Sequence, residues 1–200
     1  IVEDSVPPEK TKEFLSAMFQ KSIKLSNIIN DLLRASEIDS EDLDINIAPV
    51  DLAGLITRVI EDKKLECEGK NLKLEAILPA GGLPLVKADE KYLEQALLNL
   101  ISNAIQYTFK GGITVSAEVQ GKKVKIRVAD TGIGIPLADR SKLFQKFTRA
   151  KNAVDAYTDG TGLGLFIVKK IVSGHPGGKI EIEKTEVGKG TVMAVTLSAV

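Results

Sequence analysis

Asn99 and Asn103 stand four residues apart in Gln95–Tyr107 (QALLNLISNAIQY), a stretch with helical spacing of its apolar residues. Residues four apart share a helix face, so both amides point one way, with Gln106 and Tyr107 about one turn further on. Amide oxygens suit a hard cation such as Mg²⁺, which takes most of its other ligands from water and phosphate. A plain polar helix face is the alternative. Asp130 ends the apolar run Val124–Ala129 and precedes Thr131-Gly132-Ile133-Gly134. A carboxylate there can accept an N–H from an exocyclic amine such as that of adenine, and Gly132 and Gly134 let the backbone approach a flat ring. An Asp-Thr-Gly turn closing a strand is the alternative. Gly160-Thr161-Gly162-Leu163-Gly164 runs straight into an apolar helix. Backbone N–H groups at a helix start attract phosphate, although a flexible loop gives the same pattern. It is not G-x-G-x-x-G, and G-x-x-x-x-G-K-[ST] occurs nowhere, which excludes the P-loop NTPases. Taken together, the three segments suit ATP and its magnesium.

Regular elements must carry these groups. Residues 9–38 read as one long helix after Pro7-Pro8, with Phe14, Met18, Leu25, Ile28, Ile29, Leu32 and Leu33 as its apolar stripe. Met18, Leu25 and Leu32 lie seven apart, the repeat of a helix that packs on partner helices. The polar Asp39–Asp42 reads as a linker. Beyond it come a short strand over Leu43–Ile47, a helix from Asp51 to about Gly69, strands near Leu72–Ala76 and Leu85–Lys87, and a helix capped by Asp89. A hairpin spans Ile113–Val119 and Val124–Ala129. Residues 136–159 read as helix and loop, 163–172 as helix, and Ile180–Glu183 with Thr191–Leu197 as closing strands. The expected fold class is α/β: a two-layer α/β sandwich, with a mixed sheet and helices on one face, preceded by one long helix.

Two hundred residues with 44% apolar content allow one large domain plus an appendage. Aromatics are 4% and tryptophan is absent, so aliphatic side chains fill the core. Zero net charge excludes a basic nucleic-acid or anionic-membrane surface. One cysteine, Cys67, forms no internal disulfide and fits a reducing, cytoplasmic setting. No apolar run reaches the roughly 18 residues of a membrane span. Ile1-Val2-Glu3-Asp4 is no signal peptide and reads as a cut through a longer protein, so membrane attachment would come only from upstream segments.

In these motifs the sequence resembles the ATP-binding catalytic domain of sensor histidine kinases, in the superfamily shared with gyrase, Hsp90 and MutL. Gln95–Tyr107 resembles the N box, Asp130–Gly134 the G1 box, Leu143–Phe147 the F box and Gly160–Gly164 the G2 box. Leu25–Leu33, running on to Pro49-Val50-Asp51-Leu52, resembles the second helix of the dimerisation and phosphoacceptor hairpin. The resemblance implies a division into 1–42, part of that hairpin, and 43–200, the catalytic domain. It implies that Asn103 binds Mg²⁺ and that Asn99 supports the phosphates, the pair forming the catalytic centre. Tyr107 would lie near the sugar and phosphates, Asp130 would read the adenine amine, and Thr191 would lie behind the base. Gln106, Gly132, Gly134, Phe144, Gly160, Thr161, Gly162, Leu163 and Gly164 would complete the nucleotide site. Residues 149–160 would form the ATP lid, with Arg149 and Lys151 within reach of the triphosphate. The implied partners are a response regulator receiver domain and a second copy of the chain, paired through the helix 9–38.

Gln106 stands where the family often has lysine, and Lys146 where the F box often has proline. No histidine lies in the N-terminal region; the only one, His175, falls in the turn Ser173–Gly178, and a structural role is expected of it. A hydrolysing switch of the gyrase–MutL type is the alternative, but it needs a general base where Asn99 stands. A serine kinase of the anti-sigma type is the other, and the long N-terminal helix argues against it.

Overall fold

The structure, a computed structural model, describes the backbone of residues 8–39, 44–157 and 160–200. The expected linker and domain boundary at 39–43 fall almost wholly outside the described residues. Helix α1 (Pro8–Asp39) leads, followed by strand β1 (Ala48–Val50) and helix α2 (Leu52–Gly69). Asp51 caps α2 by accepting from the amides of Ala53 at 3.1 Å and Gly54 at 3.2 Å. Strands β2 (Lys73–Ile77) and β3 (Val86–Ala88) lead into helix α3 (Glu90–Tyr107). The hairpin β4 (Gly112–Gln120) and β5 (Lys123–Asp130) follows, then a 3-10 turn Leu137–Asp139 and the short helix α4 (Lys151–Ala156). Helix α5 (Gly164–Ser173) and strands β6 (Lys179–Glu186) and β7 (Gly190–Ser198) close the chain.

The main sheet has the order β2-β4-β5-β7-β6; β2 runs parallel to β4 and every other pair is antiparallel. It is the mixed sheet expected. Inward positions alternate along β4 (Ile113, Val115, Ala117) and β5 (Val124, Ile126, Val128), all buried under α2, α3 and α5. The opposite face carries charge: Arg127 binds Glu118 at 2.8 Å and Glu183 at 2.5 Å, and Lys125 binds Glu181 at 3.3 Å. Helix α3 is the central rod, packed between α2 and α5. Cys67 is buried in the same core, and burial pushes its thiol pKa up.

The first strand departs from expectation. It lies at Ala48–Val50 rather than Leu43–Ile47, paired with β3. The Asn46 amide donates to the Asp89 carboxylate at 3.0 Å, and the buried Val50 anchors the strand. No described helix is long and apolar enough to cross a membrane.

Candidate nucleotide-binding site

A cavity of about 930 Å³ opens between the inner face of the sheet, α3, the start of α5 and the segment before it. It brings together Asn99, Asn103, Gln106 and Tyr107 of α3, Asp130 and Gly134 after β5, Arg149, Gly160, Thr161, Gly162 and Gly164, and Thr191 of β7. Three expected site residues lie off it. Leu163 is buried in the main core, Phe144 packs against that core, and Gly132 sits behind the wall. Lys151 opens α4 as an exposed side chain and does not line the cavity. Sequence reasoning missed the outer rim, to which α1 contributes Lys21 and Asn30, and α2 Asp62 and Lys63.

At the base end, Asp130 Oδ1 accepts from the amides of Gly132 at 2.8 Å and Thr191 at 3.2 Å. Its other oxygen accepts from no described residue. Burial raises the Asp130 pKa above the usual carboxylate value, and the two amide bonds work against that rise. The space at Gly132 and Gly134 is taken by the chain's own backbone rather than kept for a ring. A Cβ on Gly132 would lie 2.3 Å from the Tyr107 carbonyl, and one on Gly134, at φ +65°, would lie 2.0 Å from the Glu186 carbonyl. Gly190 is as constrained: at φ +97° its Cβ would meet the Asp130 carbonyl at 1.9 Å.

At the other end, Asn99 and Asn103 bond no described residue through their side chains. The Asn103 amide lies beside Gly164, where a Cβ would sit 3.6 Å from Nδ2 and 3.9 Å from Oδ1. No cap side chain closes the start of α5, so the Asn103 amide stands beside an uncapped helix start. Among the described residues no cluster of three or more acidic, histidine or cysteine side chains could hold a metal alone. This donor set fits Mg²⁺ only as an ion held chiefly by phosphate and water, with Asn103 as a single protein ligand.

Between the ends lies the expected lid, of which residues 158–159 fall outside the described residues. Its core is α4. Asp139 accepts from the Lys151 amide at 2.9 Å at the start of this helix, and Asn152 Nδ2 donates to the Gly134 carbonyl at 2.8 Å. Arg149 donates to the carbonyls of Ala153, at 2.9 Å, and Tyr157. Ala150 and Ala153 bury themselves with Leu143 against Tyr107, Ile133 and Ile135. Arg149 thus lines the cavity while bracing α4. Asn152 gave no signal in the sequence, because its partners are backbone atoms eighteen and nineteen residues away.

His175 is 4% exposed. Its Nδ1 pairs with the Ile171 carbonyl at 2.7 Å, and its Nε2 accepts from the Asp89 amide at 3.0 Å. The tautomer that makes both bonds carries its proton on Nδ1. The ring thereby ties the end of α5 to the start of α3, and both nitrogens are used.

Residues 88–200 match the family described as histidine kinase-, DNA gyrase B- and HSP90-like ATPase. The circadian input-output histidine kinase CikA of Synechococcus elongatus is 34% identical over 190 residues, covering 94% of this chain but only 25% of that protein. Full-length ShkA in complex with AMPPNP superposes with a TM-score of 0.79 at 28% identity, over 96% of this chain and 40% of that one. Histidine kinase ThkA in complex with response regulator protein TrrA gives a TM-score of 0.78 at 25% identity, over 99% of this chain and 54% of that one. With its four motifs placed around one cavity on this sheet, the chain belongs to the histidine kinase-, DNA gyrase B- and HSP90-like ATPase family, as an ATP-binding catalytic domain of the histidine kinase type.

Proposed function

We propose that this chain binds Mg-ATP and, as part of a longer sensor histidine kinase, passes the γ-phosphoryl group to a histidine outside these 200 residues, for relay to a response regulator aspartate. One observation carries the reading: a single cavity is lined by an Asp130 carboxylate with one oxygen unused by described residues, by Asn99, and by an Asn103 amide beside the α5 start. The adenine amine meets Asp130, and the phosphates meet the glycine loop and the first amides of α5. Magnesium, when bound, neutralises phosphate charge, with Asn103 as its protein ligand and Asn99 in support. Gln106 keeps a polar contact where a lysine would add charge.

Phosphoryl transfer is mainly a matter of positioning donor and acceptor in line. His175 cannot be the acceptor in this fold, since its ring is buried and doubly bonded. The acceptor belongs instead to the hairpin whose second helix is α1, with residues 1–42 the hairpin part and 43–200 the catalytic part. Self-pairing through α1 and docking of a receiver domain complete the assembly; the ThkA–TrrA complex supports the second. Asn99 also argues against a hydrolysing switch, because an amide takes no proton from water.

Titration calorimetry with ATP, with and without Mg²⁺, tests the reading. Binding that strengthens with Mg²⁺ is expected, together with loss of the Mg²⁺ effect in Asn103→Ala. Absence of ATP binding, or a Mg²⁺ effect unchanged in that variant, would contradict it.

A further inference from the structure

We infer that Thr185, which does not line the cavity, is a positioning residue that turns the Thr191 hydroxyl into an acceptor and so sharpens the choice of a 6-amino over a 6-oxo purine. The inference rests on the ATP-site reading above and deepens it.

Thr185 faces Thr191 because of a β-bulge. The β6–β7 register pairs Ile180 with Val195 and Ile182 with Met193, then shifts so that Lys184 meets Val192 and Thr185 meets Thr191. Directly opposed residues share a face. Were β6 to alternate regularly through Glu183, the side chain following Ile180 and Ile182 on the inner face would be Lys184. The bulge instead turns a buried threonine, 7% exposed, toward the buried Thr191.

The Thr185 hydroxyl has three neighbours. It accepts from the Ile135 amide at 2.8 Å, lies 3.2 Å from the Gly190 carbonyl, and lies 3.0 Å from Thr191 Oγ1. A hydroxyl has one proton and two lone pairs. The carbonyl can only accept, so the Thr185 proton goes there. All three contacts are then satisfied only if Thr191 donates to Thr185. The Thr191 proton is thereby used up, and lone pairs face the cavity. Thr191 also holds Asp130, through its amide at 3.2 Å. Arg140 donates to the Thr185 carbonyl at 2.6 Å and fixes the backbone beneath. Two acceptors, the Asp130 carboxylate and the Thr191 hydroxyl, therefore stand side by side. They attract a ring amine and repel a ring carbonyl at the same position.

The test is the ratio of affinities for ATP and inosine triphosphate, which puts a carbonyl where adenine has its amine. Thr185→Val frees the Thr191 proton to point into the cavity and donate to that carbonyl. The ratio is expected to fall roughly three- to tenfold, while Thr185→Ser keeps the wild-type ratio. In a Thr191→Val background, Thr185→Val should leave the ratio unmoved. If Thr185→Val does not fold, Thr191→Val alone reads the same hydroxyl, and its ratio should fall. Equal weakening of both nucleotides in Thr185→Val, or an unchanged ratio in Thr191→Val, would show a merely structural role and overturn the inference. A wild-type chain that binds neither nucleotide would instead refute the site itself, and this inference with it.

Discussion

Two polar side chains, the half-buried Asp130 and the buried His175, do different work, and their environments say which. Asp130 has one oxygen that no described residue uses, and burial raises its pKa above the ordinary 3.8. A carboxyl whose folded pKa is raised stabilises the fold below the unfolded value, and that contribution is lost as pH rises through the folded value. Above the folded value, where Asp130 ionises, its charge is therefore a cost to the fold. Asp130→Asn keeps the oxygen that accepts from Gly132 and Thr191, so the variant should gain stability relative to wild type between acid and neutral pH. Urea unfolding at several pH values measures this, and a constant difference across that range would refute it. The same variant should lose about 1–3 kcal/mol of ATP binding in calorimetry, because an amide N–H now faces the adenine amine. His175 works only for the fold. His175→Ala leaves the Asp89 amide without its acceptor and should lower stability by about 1–3 kcal/mol. Denaturant unfolding checks the size; a loss under about 0.5 kcal/mol would remove the ring from the set of structural ties. Asp130 was legible because a charged residue ended an apolar run just before two glycines. Thr185 was not, since its orientation depends on one extra residue in β6.

At the scale of elements, the sequence marked α2, α3 and the β4–β5 hairpin closely, because caps at Asp51 and Asp89 and strict alternation leave little choice. It failed where tertiary partners decide. The first strand follows its pairing with β3, not the pattern at 43–47. Residues 136–159 read as helix and loop without fixed bounds; within them lies α4, whose burial rests on Ala150, Ala153 and a few distant side chains. Six residues are too few to hold a helix alone, so α4 depends on its ties. Asn152→Ala removes the bond to the Gly134 carbonyl, and hydrogen exchange across 151–156 should then quicken while exchange in α3 stays unchanged. Equal exchange in variant and wild type would show that Asn152 does not hold the lid. Helix α1 poses the opposite case: its pattern was plain, yet although it touches α5, its large described apolar side chains stay exposed. Met18 is 68% exposed and Leu32 51%, whereas among the described side chains of this helix only Ala35 joins the core. Each large apolar side chain contributes ~1.5–3 kcal/mol when buried, so α1 should drive self-association. Sedimentation of a form starting at Asp44 should show weaker association than the full chain, and equal association would place the interface elsewhere.

On the scale of the whole molecule, the proposed function would separate gripping the nucleotide from accepting its phosphoryl group. The sheet, α3 and α5 converge on one cavity, yet the chain has one histidine, and it is locked between helices on both ring nitrogens. Donor and acceptor must come within about 3–3.5 Å in line before transfer. Moving His175 into that position would mean breaking both of its hydrogen bonds and pulling a buried ring from the junction of α3 and α5. The 200-residue chain should therefore bind ATP and form no phosphohistidine by itself. Adding a separate hairpin that bears an acceptor histidine should restore transfer if the catalytic domain docks on it. The measurement is radiolabel from γ-labelled ATP that survives alkali and is lost in acid, with His175→Ala as control. Label in the chain alone that disappears in His175→Ala would mean the buried ring does reach the nucleotide, and the division between gripping and accepting would fall. Label absent from the chain alone and appearing on the added hairpin would place the acceptor on that hairpin, with the cavity described here as donor.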